Sequence, residues 1–350
     1  MPEEPAADQS HEDGAFEPSA LAEAVEALLL GGPRTLSTRQ LADAAGMDLE
    51  AGQRLWRSMG FAVVEDEDEV ALTAQDLHAM VRVKGAMERG VIAPDEVVGM
   101  ARLAGQVFAQ LAETEGAAMY LHALDRAGDS DVPTALAEVA EEVIPLLEEV
   151  HSYVWRRQLA AYAARRAAAA GPGPAVPGAP TPVDEVASVA FADISGFTSL
   201  SRDLTEQQLA DLLEAFETVA VEAVGAHQGR VVKLIGDAVL FVAAEPGQAL
   251  AIADELLASW PAHRPPLRIG IATGPVLRRL GDVFGPTVNL ASRLTSLARP
   301  REVRVDATTR ALTAPARDYD EQPPTDVRGY PALASWALRP PAAAVGRDRA

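Results

Sequence analysis

The amino-acid sequence predicts an α+β chain of two domains. The N-terminal half reads as all-helical with a small winged-helix-like hairpin, and the C-terminal half alternates strands with helices. Three observations carry this prediction. Apolar residues recur at helical spacing from about Ala20 to Ala170. The stretch Gly171 to Pro182 then packs five prolines and three glycines into twelve residues, which no helix can continue. Beyond it, short β-branched runs and helical runs follow in the order β-α-β-β-α-β, a split βαβ, ferredoxin-like core with helices on one face of an antiparallel sheet.

Taken in order, residues 1–18 hold six acids and no Lys or Arg, with no apolar period, and read as a disordered acidic tail. Residues 19–170 form the helical domain, seen in Leu21, Val25, Leu28 and Leu29, then in Val97 to Leu111 and Leu136 to Ala167. Within it, Leu36 to Phe61 has the form of a helix-turn-helix. It is followed by Ala62-Val-Val, an acidic tip Glu65-Asp-Glu-Asp-Glu69 and Val70-Ala-Leu-Thr, as in a winged variant. Residues 171–184 are a semi-extended linker. The second domain, residues 185–338, opens with the apolar strand Val186 to Ala192, which ends at Asp193. A helix over Ser199 to Ala226 follows, then two β-branched runs, Gly229 to Leu234 and Ala238 to Ala243, flanking a hairpin tip with a Gly-Asp turn. A helix over Pro246 to Trp260, a strand over Leu267 to Thr273 and a helix over Gly285 to Ala298 complete the core, with short strands at Val303 to Val305 and Ser335 to Leu338. Residues 339–350 read as a disordered tail.

Composition narrows the function. At 350 residues and 48% hydrophobic, the chain can bury two cores. No apolar run is long enough to span a membrane and the N-terminus is acidic, so a cytoplasmic protein is expected. With no cysteine, any metal must be held by oxygen or imidazole. A net charge of -21 disfavours nucleic-acid binding and docking on anionic lipid. The five acids at the wing tip would repel phosphate, so the helix-turn-helix is not expected to bind DNA. The chain has only two lysines, Lys84 and Lys233, so a lysine kept against a background of arginine invites a chemical explanation.

Two carboxylates draw attention. Asp193 ends a strand and runs into Ile194-Ser-Gly-Phe-Thr198, a glycine turn and helix start whose N–H groups suit phosphate oxygens while the carboxylate ligates Mg²⁺. Asp237 sits at the hairpin tip of Lys233-Leu-Ile-Gly-Asp-Ala-Val-Leu-Phe241 and can stand beside Asp193 if the two strands are sheet neighbours. On the helix that begins near Gly285, the i, i+4 spacing puts Asn289 and Arg293 on one face.

Four motifs then occur in order over about 150 residues: Phe191-Ala-Asp-Ile-Ser-Gly-Phe-Thr198, Val232-Lys-Leu-Ile-Gly-Asp-Ala-Val-Leu-Phe241, Ile269-Gly-Ile-Ala-Thr-Gly274 and Gly281-Asp-Val-Phe-Gly-Pro-Thr-Val-Asn-Leu-Ala-Ser-Arg-Leu294. This set resembles the class III adenylyl and guanylyl cyclase catalytic domain. The resemblance implies that ATP becomes 3',5'-cyclic AMP and pyrophosphate with two Mg²⁺ or Mn²⁺ per site. It puts the metal pair on Asp193 and Asp237, the adenine-reading pair on Lys233 and Asp282, and the transition-state pair on Asn289 and Arg293. Ile194, Ser195, Gly196, Phe197 and Thr198 would meet the phosphates. It also implies a homodimer in which Asp193 and Asp237 of one subunit meet the other four residues of its mate. A cationic donor and a carboxylate match adenine N1 and N6 and mismatch guanine, so a guanylyl cyclase is disfavoured. The helical half resembles the regulatory domain of soluble actinobacterial cyclases, acting in cis with a lipid or a proton as possible input. His151, among Glu148, Glu149 and Trp155, is the candidate proton sensor. The alternative function is a DNA-binding or other regulator whose cyclase-like domain senses a nucleotide.

Overall fold

The computed structural model describes residues 25–62, 64–128, 131–170 and 185–339. The acidic tail, the linker and most of the C-terminal tail lie outside the described residues. The chain divides into two compact units, Met1–Ala175 and Val176–Ala350.

In the first unit the elements are β1 (Leu36–Ser37), α1 (Thr38–Ala45), α2 (Leu49–Ser58), β2 (Val70–Leu72), α3 (Ala74–Glu88), α4 (Pro94–Ala127) and α5 (Val132–Ala170). Local chemistry sets their ends. Ser37 and Gln40 form a capping box at α1, Gly46 closes that helix at φ 62°, Asp48 caps α2, and Thr73 with Asp76 boxes α3. Leu41, Ala45, Leu55, Leu72, Met80 and Val97 make one core, and Ala123, Ala127, Ala135 and Val139 a second where α4 and α5 meet. Val70–Leu72 pairs with Leu36–Ser37, and the acidic tip folds back so that Glu67 and Asp68 take Arg39 at 2.6 and 3.0 Å. Among the described residues no helix is long and apolar enough to cross a membrane.

The second unit runs β3 (Glu185–Ile194), α6 (Phe197–Leu200), α7 (Glu206–Ala226), β4 (Arg230–Ile235), β5 (Ala238–Ala243), α8 (Pro246–Ser259), β6 (Leu267–Arg279), β7 (Asp282–Phe284), α9 (Pro286–Leu297), β8 (Val303–Val305), α10 (Ala307–Thr313), β9 (Tyr319–Val327) and β10 (Tyr330–Leu338). The sheet order β4-β5-β3-β6-β8-β10-β9 contains the ferredoxin-like arrangement in its first four strands, with three more added beyond β6. Two corrections follow. Helices cover both faces: α7 and α8 pack on Ala190, Ala192 and Ile194, while α9 packs on Ala187 and Val189. The signal was present, because Val186 to Ala192 is nearly continuous in apolar residues and does not alternate, as a strand buried on both faces must be. The helix expected over 199–226 is broken, since Thr205 and Gln208 form a new capping box and restart it as α7.

Candidate active site

β3 pairs antiparallel with β5 and with β6, setting Asp193 opposite Ala238 on one side and opposite Arg268 on the other. Ile194 N–H donates to the Asp237 carbonyl at 3.1 Å, which holds the β4–β5 tip against the end of β3. The two carboxylates are thereby crowded. Burial, then a shared hydrogen bond with Asp193 and that group's charge, push the Asp237 carboxyl up to about 6. Arg268 answers the charge, its Nε and Nη2 both donating to Asp193 Oδ2, the former at 3.0 Å. Sequence reasoning missed Arg268; the signal was its place in a strand that must lie beside the one ending in Asp193.

The donor set fits a hard divalent cation. Two carboxylates driven together repel unless a proton or a cation joins them, and Mg²⁺ is usually held by one or two carboxylates with substrate phosphates completing its shell. Among the described residues no group of three or more His, Asp or Glu is placed to hold a metal ion, so the remaining ligands would be phosphate, water or backbone.

The loop 194–198, expected to meet the phosphates, does not have all its amides free. The N–H groups of Ile194 and Ser195 are already spent on the carbonyls of Asp237 and Pro266. Gly196 turns at φ 77° into α6, a single turn of helix with little dipole of its own, so the available amides are those of Gly196, Phe197 and Thr198. The Ser195 hydroxyl is buried without a partner among the described residues.

Lys233 and Asp282, 49 residues apart, meet with Nζ to Oδ2 at 2.6 Å, and Asp282 Oδ1 accepts from Val283 N–H at 2.8 Å. Asp282 opens β7, which pairs only with β6, and the turn before it uses Leu280 and Gly281 at φ 50° and 79°. Asn289 and Arg293 lie on α9, whose buried side carries Ala291, Leu294 and Thr295. Gly270 permits that packing, because a Cβ there would stand 2.1 Å from Thr295 N. Asn289 is exposed and Arg293 half-buried, and neither side chain has a hydrogen-bond partner among the described residues.

With this geometry described, comparison with known proteins becomes informative. The model of the adenylate and guanylate cyclase catalytic domain matches residues 179–339, and that of the adenylate cyclase regulatory domain matches residues 15–161. An adenylate cyclase of Streptomyces coelicolor is 42% identical over 308 residues, covering 87% of this chain and 77% of its own. The chain belongs to the class III adenylate cyclase family. An adenylate cyclase of Streptomyces griseus is 40% identical to the cyclase over 320 residues, covering 87% of this chain and 77% of its own. A protein of Mycobacterium tuberculosis named as a pH-sensitive adenylate cyclase is 33% identical over 291 residues, covering 81% and 72%. The cyclase thus carries a regulatory domain ahead of its catalytic one.

Proposed function

We propose that the cyclase converts ATP to 3',5'-cyclic AMP and pyrophosphate by attack of the ribose 3'-oxygen on the α-phosphorus, with two Mg²⁺ or Mn²⁺ per site. The observation that carries this reading is the Lys233–Asp282 pair, whose lysine stands on the β4–β5 hairpin with Asp237, one of two crowded carboxylates. Bound ions would activate the 3'-hydroxyl and neutralise the departing pyrophosphate. Asp193 and Asp237 would hold them, and Arg268, bonded to Asp193, supplies counter-charge that lets the carboxylates stand together. The free amides of Gly196, Phe197 and Thr198 meet phosphate oxygens. Lys233 donates to adenine N1 and Asp282 accepts from its N6 amino group, whereas guanine would oppose donor to donor and acceptor to acceptor. Asn289 holds the ribose, and Arg293 stabilises the charge that grows on the α-phosphate.

The resemblance puts Asp193 and Asp237 of one subunit with the other four residues of its mate, so the active form is a two-fold homodimer with two sites. Exposed Asn289 and half-buried Arg293, neither with a side-chain partner among the described residues, support that reading, as side chains awaiting a ligand from outside their own chain. The regulatory domain acts in cis, with a lipid or proton as input, and ATP as substrate places the enzyme in the cytoplasm. The test incubates the purified protein with ATP or GTP plus Mg²⁺ or Mn²⁺ and measures cyclic product. Cyclic AMP formed in strong preference to cyclic GMP is expected; equal use of GTP would remove the base assignment, and no product from either would remove the reaction.

A further inference from the structure

The β6–β7 arm carries Asp282 to a strand it does not pair with. β4 and β6 are separated in the sheet by β5 and β3, and β7 pairs with β6 alone, so no backbone ladder joins the arm to β4. Side chains hold it there. Lys233 takes Asp282, and Arg230 Nη1 donates to the Gly281 carbonyl at 2.8 Å, at the turn just before Asp282.

In a regular strand, residues three apart point to opposite faces. Here Arg230 is opposite Val242, Val231 opposite Phe241 and Lys233 opposite Leu240, so Val232 is an extra, bulged residue. The bulge brings Arg230 and Lys233 to the same face. The strand start beneath Arg230 is closely packed, since a Cβ on Gly229 would stand 2.6 Å from Ile252 Cδ1 and 2.9 Å from Val224 Cγ1.

Reading a base draws an N–H of Lys233 and an oxygen of Asp282 toward the ligand, so their mutual bond is shared with it. The tether on the arm is then weakened. The Arg230–Gly281 bond involves no atom that faces the base and survives the exchange.

We propose that Arg230 is a positioning residue for base selection: its bond to Gly281 keeps the arm and the Asp282 carboxylate on β4 while Lys233 and Asp282 turn to take adenine. The inference rests on the reading of that pair as the base-recognition pair. A net hydrogen bond is worth up to about tenfold in an equilibrium, which sets the scale of the effect.

The experiment compares full-length wild type, Arg230→Met, Arg230→Lys and Asp282→Ala, measuring kcat and KM separately for ATP and GTP, together with hydrogen exchange over the 279–284 arm. Arg230→Met should raise KM for ATP about tenfold, lower the ATP-to-GTP ratio of kcat/KM by a similar factor, leave kcat within about twofold and speed exchange in the arm. Arg230→Lys, which can still donate to the carbonyl, should recover part of each change. Wild-type KM and selectivity in Arg230→Met, beside lost selectivity in Asp282→Ala, would overturn the role of Arg230 and leave base reading intact. Equal loss of kcat for both nucleotides with selectivity unmoved would make Arg230 a structural prop and overturn it as well. Full ATP selectivity in Asp282→Ala would bring down the base reading, and this inference with it.

Discussion

At the scale of single residues, two carboxylates and their counter-charge dominate. Asp193→Ala or Asp237→Ala is expected to cut cyclic AMP formation to below about 1% of wild type, the scale seen when one charge-stabilising group is removed from a preorganised site. Thermal unfolding should stay cooperative in both variants, since neither side chain belongs to a core. Substantial residual activity in either would remove the metal-ligand assignment. Asp237 also makes a pH prediction. Its carboxyl titrates near about 6 in the folded state against an ordinary 3.8, so the folded protein holds this proton more tightly than the unfolded one. The metal-free enzyme therefore carries this contribution in full below pH 3.8 and loses it as pH rises through about 6. Urea unfolding from pH 4 to 7 in EDTA should show that decline, and Asp237→Asn should flatten it. Mn²⁺ affinity should rise over the same window, because the ion needs the deprotonated carboxylate. The carboxylates were legible as candidates from the sequence. Arg268 was not, because only strand pairing sets it opposite Asp193.

At the scale of elements, close packing decides what can change. Gly270 lies in β6 directly beneath α9, where an added Cβ would fall 2.1 Å from Thr295 N and 2.6 Å from the Ala291 carbonyl. Gly270→Ala should cost about 3 kcal/mol in urea unfolding and lower activity as well, because α9 carries Asn289 and Arg293. An unchanged midpoint would mean that α9 does not sit so tightly on β6. In the regulatory unit, His151 was expected to meet Glu148 or Glu149 of its own helix. Its Nε2 instead lies 2.7 Å from Oε1 of Glu115 on α4, with the Phe108 ring edge-on at 6.3 Å. Helical periodicity shows which residues share a face of one helix, but not which residue of a second helix faces them. The same gap hid β9, whose two prolines and several acids argue against a strand, although an edge position tolerates both.

At the scale of the whole molecule, the expected homodimer makes a sharp prediction. Asp193→Ala and Arg293→Ala, each nearly inactive alone, should regain activity when mixed and allowed to exchange subunits. One site of the heterodimer then has every residue intact and the other is doubly damaged. Proven exchange without recovery would contradict a site shared between subunits. The regulatory half offers a second test. Leu146, Val150, Val154 and Leu159 of α5 are exposed at near-helical spacing, a face suited to cover by another domain or subunit. Removing residues 1–183 should change specific activity and shift or flatten its pH profile. A dimeric catalytic domain with unaltered activity and profile would end the regulatory reading.

By itself the sequence determined the βαββαβ core and the family, and it singled out the candidate site residues. These depend on local order, on turn and cap residues, and on motifs whose spacing survives translation into strands and helices. Only the tertiary structure decided that α9 lies on the second face of the sheet and that Arg268 stands opposite Asp193. It also decided that a bulge at Val232 turns Arg230 and Lys233 to the same side. Each of these depends on which strand lies beside which, and in what register. Register is set by packing and hydrogen bonding across tens of residues of separation, where a one-residue slip reverses every side chain and no local pattern records the choice.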